Sequence, residues 1–102
     1  MARQHRMAQL NTQYMDECAR EVLSTENGRA FVFNILAQCG IYTPSFSGDR
    51  GYTDFNEGKR SLGCWVINEI HRVDPYVYPK MQTEAAAREI QFKLRVKSNT
   101  KP

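Results

Sequence analysis

The residues of this chain that could support catalysis are a group of carboxylates and a histidine in its second half. The carboxylates are Asp54, Glu57 and Glu69, and the histidine is His71. On a helix, Glu57 would pair with the neighbouring cations of the sequence, which explains it without catalysis. His71 would lie near a helix end, where a cation suits the helix dipole, and no nucleophile is paired with it in the sequence. We therefore predict no catalytic residues and no enzymatic activity.

Three cysteines, Cys18, Cys39 and Cys64, are the remaining reactive side chains. Their number is odd and no CxxC pair occurs, so a disulfide framework is not indicated and a reducing compartment fits. Together with His71 they lack the spacing of a zinc site. We interpret them as small apolar side chains of the core, and we predict no metal and no cofactor.

Two arginines, Arg29 and Arg60, each follow a glycine closely near the start of an apolar helix. The favoured interpretation is structural: each bonds to a helix end or to a carboxylate such as Asp54 or Glu57. The functional alternative is an arginine at a protein interface, with phosphate binding as a weaker option.

The net charge of +3 is concentrated at the C-terminal end of the sequence. Residues 75–102 contain six cations and only two acidic residues, Glu84 and Glu89. The favoured interpretation is a solvated helix face, and the alternative is contact with DNA or another anionic surface. The candidate nucleic-acid contacts are Arg88, Lys93, Arg95, Lys97 and Lys101.

Apolar periodicity predicts the elements that would position these side chains. We predict an all-α fold, a small bundle of about four helices with an irregular loop at about 41–52. The predicted helices span residues 12–23, 26–38, 53–73 and 80–96. Residues 1–11 are predicted to be a flexible arm or a frayed helix start, residues 12–97 the helical domain, and residues 98–102 a polar tail. The longest strongly apolar stretch, residues 30–37, is far shorter than a membrane span, so we expect no transmembrane segment.

The second and third predicted helices carry the strongest packing signals. The second could alternatively be a strand, since residues 31–35 are rich in β-formers, but its length and cap residues favour a helix. In the third, Trp65 is predicted to lie near the core, and Gly58 lies between Phe55 and Leu62 on the same apolar face. A glycine there costs about 1 kcal/mol of helix propensity, which close approach of another helix would offset.

An ordered set of motifs carries a resemblance to a known family. The motifs are Gly28-Arg29, then Cys39-Gly40-Ile41-Tyr42 with Ser45-Phe46, then Phe55-Asn56-Glu57-Gly58-Lys59-Arg60-Ser61-Leu62-Gly63, and finally Asp74-Pro75. Over about residues 22–78, roughly half of the chain, the sequence resembles small structural-region proteins of tailed bacteriophages, typified by one from a short-tailed Bordetella phage.

This resemblance implies a virion component or a virion-assembly protein, and it supplies no catalytic motif. A small helical protein with a basic end suits an internal or ejected component, or one near the portal. We expect a homo-oligomer or binding to other virion proteins, non-specific DNA contact at most, no small-molecule substrate, and a location in the virion and in the host cytoplasm during assembly. A DNA-binding packaging or regulatory accessory is the alternative. The candidate interface residues are Arg29, Phe33, Tyr42, Phe46, Gly58 and Arg60.

Overall fold

The fold of the chain is all-helical, as the sequence predicts. The computed structural model describes residues 2–42 and 50–99, and this part contains four α-helices and no strand. The helices are α1 (Ala2–Val22), α2 (Glu26–Gln38), α3 (Arg50–Val73) and α4 (Val77–Asn99). The strand considered for residues 31–35 is thus wrong, since these residues lie inside α2.

Helix α2 has the bounds that its capping residues predict. Thr25 has an extended backbone, and its Oγ1 accepts a hydrogen bond from the Gly28 amide at 3.0 Å. At the other end Gly40 has a φ of 74°, the left-handed conformation that glycine adopts without steric cost. Both helix ends therefore follow from local sequence.

The other helices extend beyond their predicted bounds. Helix α1 begins at Ala2 and not near residue 12, so residues 2–11 are helical and not a flexible arm. Helix α3 begins at Arg50, inside the predicted loop, and residues 43–49 of that loop lie outside the described residues. Helix α4 runs from Val77 to Asn99 and so includes the start of the predicted tail. Apolar periodicity misses residues 2–11 because this segment is mostly polar and every one of its side chains is exposed.

The core is small and lies where the four helices meet. Its buried apolar side chains are Leu23, Leu36, Ile70 and Met81, and each comes from, or directly follows, a different helix. Partly buried apolar residues surround them: Val32, Phe33, Ile41, Val66, Ile67, Val77 and Tyr78.

Much of the apolar face of α3 is exposed, which contradicts the predicted core. Trp65 is 59% exposed, and Phe55 and Leu62 are exposed to a similar degree. Among its apolar residues, Val66, Ile67 and Ile70 reach the core. A helix of 24 residues is about 36 Å long and extends beyond the surface that its neighbours cover, so its apolar face is only partly buried.

The molecule as a whole is elongated. Its principal extents are 70 × 39 × 18 Å and its radius of gyration is 18.1 Å, whereas a compact domain of this length has a radius of gyration of about 13 Å. The accessible surface is 8231 Å², compared with roughly 5,900 Å² for a compact monomer of this mass. The chain therefore leaves much more surface available for contacts than its size requires.

Candidate functional site

Arg29 joins three helices at the corner between α1 and α2. Its Nη1 donates to the carbonyl of Leu23 at 3.0 Å, while Nε and Nη2 each donate to one carboxylate oxygen of Glu84 at 2.8 Å. The hydrogen bonds from Arg29 hold the pKa of Glu84 below its ordinary value. The preceding Gly28 lies directly against the backbone carbonyl of Val22, where a Cβ would clash.

This geometry decides between the two interpretations of Arg29. The side chain is 8% exposed and bonds to a helix end and a carboxylate, as the structural interpretation requires. Its partner is Glu84 and not Asp54 or Glu57. The prediction that Arg29 is an interface residue is corrected, because the guanidinium lies inside the fold of the chain itself.

A second close approach brings α3 against the segment that follows α2. A Cβ at Gly63 would lie 2.7 Å from Cγ2 of Ile41 and 2.8 Å from Cβ of Cys39. By contrast, nothing lies within 4 Å of a Cβ at Gly58, which is exposed. The prediction that Gly58 allows close helix packing is therefore wrong within the chain. Gly63 has that role instead.

The aromatic interface candidates form a small cluster beside the core. The rings of Phe33 and Tyr42 stack with centroids 5.8 Å apart, and the hydroxyls of Tyr42 and Tyr78 are hydrogen-bonded. Partial burial, and then this hydrogen bond, raise the pKa of Tyr42. Tyr42 is still 50% exposed, so its outer edge could contact a partner. Arg60 is also exposed, and Phe46 lies outside the described residues.

An ion-pair network that the sequence did not predict attaches α1 to α3. Arg72 donates to both carboxylate oxygens of Asp16 at 2.7 and 3.2 Å, and it also pairs with Glu69 at 3.1 Å. Hydrogen bonding from Arg72 lowers the pKa of Asp16. The three-residue spacing of Glu69 and Arg72 signals their pairing in the sequence. No local signal links Asp16 to Arg72, which are 56 residues apart.

A groove of about 780 Å³ runs between α2 and α4. It is lined by Ala30, Phe33, Asn34, Ala37, Ala85, Arg88, Glu89, Phe92, Lys93, Val96 and Lys97. Its walls are therefore mostly small or apolar, with cations contributed by α4. Three of the five candidate nucleic-acid residues lie here.

The other two candidates lie elsewhere. Arg95 is outside the groove lining, and its guanidinium carbon lies 6.0 Å from the ring centroid of Phe92. Lys101 falls beyond the described residues. The structure thus divides the predicted basic run between a groove and an exposed helix face.

One guanidinium nitrogen of Arg88, a residue that lines the groove, has an unusual environment. Its Nη1 is buried and has no hydrogen-bond partner within the described part of the chain. A buried donor without an acceptor is costly, and because this atom is shielded from solvent, neighbouring side chains would have to move before an occupant could reach it. Nearby Lys93 pairs with Glu89 at 3.1 Å in an exposed ion pair. The groove can thus hold an apolar segment that carries carboxylates.

The candidate metal-binding residues, the three cysteines and His71, form no metal site in the part of the chain that the structure describes. Across residues 2–42 and 50–99, no three His, Cys, Asp or Glu side chains form a group that could hold a metal ion. Cys18 and Cys39 are half-buried, whereas Cys64 is exposed, which corrects its interpretation as a core residue. In the same residues no helix is both long enough and apolar enough to cross a membrane.

Comparison with known proteins identifies one matching family. A sequence model of a family described as Bbp19-like phage protein matches residues 19–83. The match includes the corner at Gly28 and Arg29, the contact of Gly63 with Ile41, and the whole of the region 22–78. Neither the curated proteins nor the solved structures contain a significant match.

Proposed function

The chain belongs to the family of Bbp19-like phage proteins, and on that premise we propose that it is a virion component that acts by oligomeric helix packing. The position proposed for it is internal, among ejected proteins, or close to the portal. Its proposed partners are further copies of itself and other virion proteins, and it has no small-molecule substrate.

The observation that carries this proposal is the amount of apolar surface that the fold leaves exposed. Large apolar side chains are exposed on all four helices, including Tyr14, Phe31, Trp65 and Ile90 at 59–68%. Single exposed apolar residues are common on monomers, but here the total accessible surface of 8231 Å² also exceeds the roughly 5,900 Å² of a compact monomer of this mass. Association with other helices is the process that buries such surface.

A non-enzymatic role is part of the proposal. The arginines and carboxylates with strong contacts join helices to one another: Arg29 with Glu84, and Arg72 with Asp16. These pairs have clear structural functions, so they need no catalytic explanation. The family description names a phage protein and no reaction.

Mass spectrometry of purified phage particles, with copy-number estimation, tests this function. We expect the protein in intact particles at a fixed copy number that matches a symmetric assembly or a small ejected set. Particles that lack the protein, from a lysate in which it is expressed, would contradict a virion role.

A DNA-binding packaging or regulatory accessory is the second candidate, favoured by the last turns of α4. Residues 89–98 are all exposed and carry Lys93, Arg95 and Lys97. Each phosphate neutralised by such a cation releases counterions, so binding would weaken steeply with salt. We expect only weak, non-specific binding, since an exposed helix end presents charge without a shaped surface for bases.

Deletion of residues 93–102 tests this alternative on DNA columns at low salt. The deletion should abolish any retention of the chain. Oligomerisation should persist in weakened form, because most of the exposed apolar surface lies upstream. Tight binding that depends on DNA sequence would favour the accessory function over the virion component.

A further inference from the structure

We infer that the groove between α2 and α4 is the docking site for helix α1 of a second copy of the chain. The inference rests on the proposed oligomeric action and specifies its contact surfaces. One surface is the groove described above. The other is the outer face of α1, defined by Met7, Leu10, Tyr14, Glu17 and Glu21.

The shape of the groove fits a helix. On α2 the lining residues Ala30, Phe33 and Ala37 recur at three- and four-residue steps, and on α4 so do Ala85, Arg88 and Phe92. Each wall is therefore one stripe of a helix, and the floor between two packed helices is the place where a third helix packs. The alanines on both walls permit close approach of that helix.

The charge of the groove selects an occupant that carries carboxylates. Arg88, Lys93 and Lys97 line it together with a single acidic residue, Glu89. The buried Nη1 of Arg88 has no acceptor within residues 2–42 and 50–99. This atom is itself shielded from solvent, so carboxylates of an occupant would pair with the exposed cations Lys93 and Lys97 that line the groove.

The outer face of α1 has the complementary pattern. Met7, Leu10 and Tyr14 are 65%, 47% and 63% exposed, and Glu17 and Glu21 are exposed at the same three- and four-residue steps towards the C-terminal end. An apolar stripe that ends in two carboxylates matches a groove with aromatic side chains and cations.

Within one copy, α1 is held elsewhere. Its opposite face, which includes Met15, Asp16 and Ala19, lines a second groove with α3, and Asp16 is paired with Arg72. The outer face is therefore directed away from α3 and free to enter the groove of another copy.

The available surface is sufficient for this contact. The chain exposes roughly 2,300 Å² more than a compact monomer of its mass, and a standard interface buries about 800 Å² on each partner. Because the donor helix and the receiving groove are different surfaces, the contact is heterologous. Repetition of a heterologous contact gives a ring when the rotation closes and an open chain otherwise.

Charge reversal on the full-length chain, read by sedimentation equilibrium and light scattering, tests the pairing. The variant E17K/E21K and the variant K93E/K97E should each lose self-association by about tenfold or more in Kd, since like charges would face each other. An equimolar mixture of the two should associate again, because each acidic face then meets a basic one. The control K59E/R95E makes the same change in net charge as K93E/K97E, at positions outside the groove lining, and should associate like wild type.

A pair of tryptophan variants tests the groove without changing charge. Ala37 is exposed and lines the groove, so Ala37→Trp should fill it and weaken self-association. Gln38 is exposed on the same helix but outside the lining, so Gln38→Trp should leave association unchanged. Circular dichroism of each variant checks that the helices are intact. If a charge variant does not fold, the comparison of Ala37→Trp with Gln38→Trp provides the test instead.

The outcomes separate this inference from the proposed function. Self-association that resists both charge reversal and Ala37→Trp overturns the docking site while leaving oligomeric packing in place. A chain that stays monomeric at every concentration overturns the docking site, and presence of that monomer in purified particles would still support a virion component.

Discussion

Gly58 and Gly63 look alike in the sequence, since both lie in one motif on one helix, but their surroundings differ completely. Gly63 is buried against Ile41 and Cys39, which places α3 directly on the segment that ends α2. Gly58 faces open space. The sequence shows where glycines lie on a helix. Whether another segment packs closely against a given glycine depends on how the helices cross.

This contrast predicts opposite effects of the same substitution. Gly63→Ala should destabilise the fold by about 1–3 kcal/mol, because the added methyl would lie less than 3 Å from Ile41 and Cys39. Gly58→Ala should stabilise it by about 0.5–1 kcal/mol through helix propensity alone. Urea denaturation of dilute protein measures both values. A destabilised Gly58→Ala variant would show that another element packs on this position.

Arg29 shows the limit of local sequence reasoning. Its position after a glycine near a helix start predicts a bond to a helix end or a carboxylate, and the structure contains both. Its carboxylate partner, Glu84, is 55 residues away and has no local signal. Local sequence therefore predicted the type of contact, while the identity of the partner depends on the packing of α4 on α2.

The pair of Arg29 and Glu84 makes stability depend on pH at the acidic end. The pKa of Glu84 is lowered from its ordinary value of 4.5, mainly by the hydrogen bond from Arg29. The contribution of ionised Glu84 to the free energy of unfolding is therefore present above the unfolded pKa. It is lost as the pH falls through the lower folded pKa.

Glu84→Gln should lower the melting temperature at pH 7. Below pH 4.5 the melting temperature of the variant should fall less steeply with pH than that of wild type. Asp16, also lowered in pKa, should leave a residual acid dependence in the variant. If the melting temperatures of both proteins fall in the same way with decreasing pH, a structural role for the pair is contradicted.

The helices differ in how much of them the sequence predicts. The bounds of α2 were predicted fully, because Thr25 and Gly40 are local signals that act on their own backbone. Residues 2–11 of α1 were not predicted as a helix, because they are mostly polar and contain only Met7 and Leu10 as large apolar side chains. Helix α4 was predicted as far as residue 96 and extends only three residues further. On α3 the apolar stripe was recognised, but its burial was overestimated, since burial depends on the length of the neighbouring helices.

Two apolar residues with similar sequence signals should therefore respond differently to truncation. Leu36 is fully buried, and Leu36→Ala should cost about 2–5 kcal/mol of unfolding free energy through lost burial and a cavity. Trp65→Ala should cost about 1 kcal/mol or less in dilute protein, because its side chain is 59% exposed. Chemical denaturation at low concentration measures both. Equal costs would mean that Trp65 is covered in solution by another part of the chain or by another molecule.

The whole molecule combines a small core with long, exposed helix ends. Among the residues that the structure describes, four buried apolar side chains form the centre, and domains of this size are only marginally stable even when they are compact. The apolar surface that a compact fold would bury internally is here exposed on all four helices. Helix periodicity predicts amphipathic faces, but the sequence alone does not say whether a face is buried within one chain or between chains.

This arrangement links folding to assembly. If copies of the chain bury the exposed faces of one another, association stabilises the folded state by mass action, and the unfolded chain gains nothing from it. A hundredfold rise in protein concentration should then raise the melting temperature by about 4 °C or more. Scanning calorimetry over that range measures the shift. The groove variant Ala37→Trp should reduce it, whereas Gln38→Trp should keep it. A melting temperature that does not change with concentration would show that the small core alone stabilises the fold. The exposed helix faces would then bind a different protein and not a second copy of the chain.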